Sequence, residues 1–186
     1  MHRFIRRSIY LAMIVASTIA LASDNLSVQA VQKVPPEMSR MNIWVGRWQS
    51  QTEVMKTPYS QAATVSSEMT CSWSPNHGFI LCDHLMHGAA GATTNSLSVY
   101  TYDEADKVYK FFGVQKDSYP REVPMEVQGN VWRFGTEVQS QDKTIMFMTS
   151  DEFLSGTSMR FRTEFSDDNG EHWKELNQGE LTKVGG

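Results

Sequence analysis

The stretch MTCSWSPNHGFILCDHLMH, residues 69–87, holds both cysteines of the chain and three of its five histidines. Its centre, Ser74-Pro75-Asn76-His77-Gly78, is turn chemistry: Pro presets φ, while Asn and Gly tolerate left-handed backbone. The flanks alternate, as strands do. With the turn centred between Asn76 and His77, opposed residues have numbers that sum to 153. Cys71 then faces Cys82, Trp73 faces Ile80 and Met69 faces His84. Val65, Met69, Cys71 and Trp73 share the apolar face, and Ser66, Glu68, Thr70 and Ser72 the polar one. Directly opposed Cβ atoms lie about 4.5–5.5 Å apart, so a small adjustment allows a disulfide between Cys71 and Cys82. A zinc site would need two further ligands converging on reduced thiolates, and of the nearby histidines only His84 shares the cysteine face. A redox centre would want a close Cys-x-x-Cys pair, which is absent.

Whether that pair oxidises depends on the compartment. Arg3, Arg6 and Arg7 precede an apolar run from Ser8 to Ala22 that ends in the small-x-small site Ala20-Leu21-Ala22. This pattern predicts a cleavable signal peptide over 1–22 and export to the periplasm or beyond. Val28-Gln29-Ala30 is a second candidate cleavage site. Disulfides persist in such compartments. The leader carries three arginines and no acid, so its removal takes the formal charge from −4 to −7. No basic cluster is left to hold a phosphate backbone, which argues against nucleic acid as a partner. After cleavage no stable membrane insertion is expected.

Residues 23–37 read as a linker and 38–186 as a single domain, with one helical turn over Pro36 to Met41. Beyond it no helical period is sustained. Strand segments are expected near 43–55, 63–73, 79–88, 95–102, 108–115, 121–128, 131–139, 143–150, 158–166 and 173–183, separated by turn-rich stretches. Met159, Phe161 and Phe165 alternate with Arg160, Arg162 and Glu164, and Trp132, Phe134 and Val138 share a face opposite Arg133 and Glu137. About ten short strands, each with one apolar face, suit an all-β antiparallel meander. Closing it into a barrel removes the exposed edges, and a barrel of this size can enclose a cavity.

The order of motifs is Gly46-x-Trp48, the Cys71-x-Trp73-Ser74-Pro75…Cys82 hairpin, YTYDEADKVYKFF, Gly129-Asn130-x-Trp132, RFRTEFSDDNGEHW and a closing GELTK. Over residues 38–184 this resembles the domain of unknown function 1579 family of mostly exported bacterial proteins. The resemblance implies a calycin-like, lipocalin-like β-barrel and carries no catalytic residues. Gly46-x-Trp48 looks like the lipocalin signature, in which the tryptophan closes one barrel end against a basic residue from a late strand. Lys183, Arg160 and Arg162 are the candidates for that residue. Ser166-x-Asp168-x-Gly170-x-x-Trp173 matches a single Asp-box, a hairpin device with no catalysis implied.

Function is then a choice between a small, largely apolar ligand held inside the barrel and a packed scaffold. The expected lining includes His84, Met69, Trp73, Met86, Trp132, Phe134, Met159 and Phe161, with Trp44 and Trp48 also inward. Nine methionines follow residue 22, and methionine suits adaptable surfaces. An acid–base enzyme would draw on Glu68, Asp83, His84 and His87, yet the register leaves only His84 inside. A haem barrel, by analogy with nitric-oxide-binding barrels, would use His84 as its axial ligand. No catalytic residue, metal site or cofactor is assigned.

Overall fold

The computed structural model describes residues 34–88, 91–115, 120–140 and 143–185. The proposed leader and most of the linker lie outside these residues. The chain opens with α1 (Pro36–Arg40) and a 3₁₀ turn (Met41–Trp44). Ten strands follow: β1 (Gly46–Val54), β2 (Ala63–Trp73), β3 (Ile80–His87), β4 (Thr93–Asp103), β5 (Val108–Gln115), β6 (Arg121–Gln128), β7 (Val131–Ser140), β8 (Lys143–Ser155), β9 (Ser158–Ser166) and β10 (Lys174–Lys183). Each pairs antiparallel with its sequence neighbours, and β1 pairs β10, so the meander closes into an all-β barrel without a free edge.

The hairpin register is the one expected: Met69 opposes His84, Cys71 opposes Cys82 and Trp73 opposes Ile80. Cys71 and Cys82 are bonded, with Cα atoms 4.0 Å apart, and both are buried. Two expected boundaries shift. Trp44 is not on the first strand but on the 3₁₀ turn before it, because the chain must cross under the barrel before Gly46 starts β1. β8 runs to Ser155, five residues past its expected end at 150, carrying Asp151, Glu152 and Phe153 into the sheet.

One end of the barrel is closed by α1 and the 3₁₀ turn. Met38, Met41, Trp44 and Trp48 are almost fully buried there, together with Trp132, Phe153 and Met159. Trp44 stacks on Tyr100 at 4.6 Å and meets Phe153 edge-on at 4.9 Å. Polar ties hold this plug. Trp48 Nε1 donates to Trp44 O at 2.8 Å, Tyr109 Oη donates to Glu37 O at 3.1 Å, and Arg40 donates to Gly129 O. Lys183 opposes Trp48 in the sheet, and its Nζ stands 4.6 Å from the Trp48 ring centroid. That cation–π contact makes Lys183 the basic partner of the Gly-x-Trp motif. Arg160 and Arg162 instead lie outside, near Glu180 and Glu164. Gly46 adopts φ +133°, and a Cβ there would meet the Lys183 stem at 3.1 Å. The glycine serves both the backbone turn and the passage of that lysine.

Candidate functional site

Alternation from the plug toward the opposite end fixes which residues face the barrel interior. On β7 these are Trp132, Phe134, Thr136 and Val138, and their exposure rises from 1% at Trp132 to 48% at Val138. On β3 they are Ile80, Cys82, His84 and Met86, rising from 0% at Ile80 to 39% at Met86. The far end is therefore a mouth, open along β3 and β7, whereas on β8 and β9 the inward residues nearest that end, Ile145 and Phe165, are buried, with Tyr59 packed edge-on against Phe165 at 5.1 Å.

The expected lining residues divide between these two regions. Met69, Trp132 and Met159 are buried in the closed half. Trp73 lies at that end too, donating from Nε1 to Asn42 Oδ1 at 2.7 Å and stacking on His77. Met69, Trp132 and Met159 share one buried cluster with Met38, Met41 and Trp44, and Trp73 packs against it. His84, Phe134 and Phe161 are half-buried in the open half. Met86 faces inward but sits at the rim. Phe134 stacks on Phe111 at 4.4 Å. Phe161 lies over Gly179, where an added Cβ would come within 2.8 Å of its ring and 2.6 Å of Gln51 O.

Glu68, Asp83 and His87 occupy the outer face, as the register requires. Glu68 and His87 border a polar depression of about 400 Å³ over β1, β2 and β10 whose lining also includes Ser50 and Ser67. The Asp-box hairpin is built as its motif suggests. Ser166 Oγ donates to Asp168 Oδ1 at 2.7 Å, and the same oxygen accepts from the His172 backbone N–H at 3.0 Å. These bonds, with the His172 ring, hold the Asp168 carboxyl well below the usual carboxylate range. Asp168, Glu171 and His172 form the one metal-like grouping among the described residues, and the hairpin already occupies the Asp168 oxygens.

The interior polar groups were mostly missed by sequence reading. On one rung β8, β9 and β10 present Thr149, Thr163 and Asn177, with the two threonine hydroxyls 3.1 Å apart. The next rung toward the floor places Asp151 between Trp132 and Phe161. Among the described residues Asp151 is the only carboxylate on an inward strand position. It is 5% exposed, and no cation pairs with it. Burial pushes its carboxyl up to about 7. Tyr100 is raised chiefly by burial and then by the charge of Asp151; Trp44 packs against both Tyr100 and Trp132, the strand neighbour of Asp151. On β1 and β2, Ser50 Oγ lies 2.7 Å from Ser67 Oγ. His84 is pulled below its ordinary value by burial, with Asp83 opposing. His84 Nε2 and Asn177 Oδ1 are buried without a hydrogen-bond partner among the described residues. Counting back by two from Phe153 would have placed Asp151 inward had β8 been extended to its turn at Gly156.

A closed, up-and-down antiparallel barrel plugged at one end by an N-terminal turn and a Gly-x-Trp–lysine contact defines a lipocalin-like barrel protein. Solved structures share this architecture. Rv2717c from M. tuberculosis superposes with a TM-score of 0.59 at 10% identity, covering 82% of this chain and 99% of that one. The S-type phycobiliprotein lyase CPES from Guillardia theta gives 0.53 at 9% identity, covering 80% and 92%. At such identities the likeness is one of fold alone. No family model and no curated protein matches the chain.

Proposed function

We propose that this protein is an exported barrel that takes a small, largely apolar ligand through its open end. The observation that carries this reading is the graded inner wall of β3 and β7: inward-facing Met86 and Val138 are exposed at one end, while Ile80 and Trp132 are sealed at the other. Apolar surface with a few placed polar groups is the usual composition of a ligand site. Buried polar atoms normally have partners, so His84 Nε2 and Asn177 Oδ1 fit groups that a ligand would engage. One similar barrel is named a phycobiliprotein lyase, but architecture by itself does not choose between carriage and catalysis. A packed scaffold is the competing reading, and the closed half alone would favour it.

Native mass spectrometry of the protein purified from its own host tests the proposal. A retained small molecule that dissociates on activation supports carriage, and a bare chain at all conditions counts against it. Membership of the domain of unknown function 1579 family and export belong to the same proposal, on the hairpin and leader motifs. N-terminal sequencing should begin at Ser23 or Val31. An intact leader on soluble cytoplasmic protein would refute export.

A further inference from the structure

We propose that Asp151 anchors a basic nitrogen on the ligand, so that the class this barrel accepts is hydrophobic amines, an apolar body ending in one protonated nitrogen. This rests on the ligand-binding reading above and deepens it. A ligand entering from the mouth passes the rung of Thr149, Thr163 and Asn177 and meets Asp151, which has half-buried Phe161 on one side and, on the other, Trp132, packed into the plug with Arg40 over its ring. A carboxylate beside an aromatic ring, as Asp151 is beside Phe161, is an arrangement that receives a cationic nitrogen through a charge-assisted hydrogen bond with the ring in support. A buried charge is costly unless paired, and the protein supplies no partner. Lys183, the inward lysine of β10, is committed to Trp48 at the closed end. The other acceptor without a partner, Asn177 Oδ1, stands one rung nearer the mouth and calls for a donor as well. The cations on other inward register positions are engaged elsewhere, Arg121 with Glu137 O and Lys174 with Asp167, and Tyr100, raised by burial, is neutral near pH 7. An anionic headgroup would meet the one inward carboxylate among the described residues, and a neutral one would leave its charge unpaired.

The test is calorimetric titration of the protein with three probes of equal chain length: decylamine, decanol and decanoate, at about pH 8, where alkylamines are protonated. Decylamine is expected to bind about tenfold or more tighter than decanol, the scale of a charge-assisted contact, with decanoate weakest. Asp151→Asn, which keeps the shape of the side chain and removes its charge, should abolish the amine advantage, so that decylamine binds no tighter than decanol. Equal binding of decanol and decylamine by the unaltered protein, or an amine preference that survives in Asp151→Asn, would overturn the proposal while leaving ligand binding intact. If none of the three binds, the ligand-binding reading itself falls and takes this one with it. The ranking by the unaltered protein stands even if the variant does not fold.

Discussion

The closed and open halves of this barrel are made by the same ten strands, yet their inner walls follow different rules. In the closed half, Trp44, Trp48, Trp132, Phe153 and Met159 are packed as in any protein core. Nearly every polar atom there is matched, with Trp44 Nε1 the exception among the described residues. In the open half the strands present Thr149, Thr163, Asn177, His84 and Asp151, several of them without partners. Such a wall adds nothing to stability on its own, since an unpaired buried polar group costs about 1–3 kcal/mol. One half holds the fold, and the other bears its cost for a use.

The contrast can be broken first at the plug. Trp48→Ala should lower unfolding free energy by about 3–5 kcal/mol, the range for emptying a buried aromatic site, as read by urea titration. If stability were kept and only ligand binding lost, the assignment of Trp48 to structure would be wrong.

Asp151 should produce the opposite kind of dependence. Its folded value, about 7, lies above the ordinary value of 3.8, so the folded chain holds a proton that the unfolded chain has released. The contribution of Asp151 to stability is therefore greatest at acid pH, falls as pH rises between about 4 and 7, and is flat above, opposite in sign to that of Asp168. The fall is on the order of 4 kcal/mol at most. Asp151→Asn should remove this slope. A slope that persists in the variant would show that another group carries it.

Reducing the Cys71–Cys82 bond is expected to cost about 2–3 kcal/mol for so short a loop, and thiol counting on denatured, unreduced protein should find no free thiol. Two free thiols in protein recovered from the exported fraction would contradict the pairing. The smallest effect belongs to His84→Gln. In the open half it should change melting little while altering ligand binding and its pH dependence near neutrality. Strong destabilisation would move His84 into the closed half.

The closed half was legible in the sequence because its signals are local. A turn and two cysteines fixed the β2–β3 register, and Gly46-x-Trp48 with a late lysine marked the plug. The open half was not, for two physical reasons. β8 does not alternate cleanly, since outward Met146 and Met148 are as apolar as inward Ile145 and Phe147, and Asp151-Glu152 reads as the end of a strand rather than its interior. Trp44 joins Tyr100 of β4 to Trp132 of β7, beside Asp151, across the barrel, which depends on closure and leaves no trace in spacing. Alternation, moreover, tells inside from outside but not floor from mouth.

The difference between the halves is open to one direct measurement, methyl NMR of the protein labelled at its methionines and titrated with decanol, an uncharged probe. Met86 stands at the mouth, while Met41, Met125 and Met159 are buried toward the floor. The Met86 methyl should shift and saturate with the probe while the three buried methyls stay in place. Shifts that begin at Met41 or Met159, or a Met86 resonance that never moves, would contradict an open, ligand-accepting half above a sealed one.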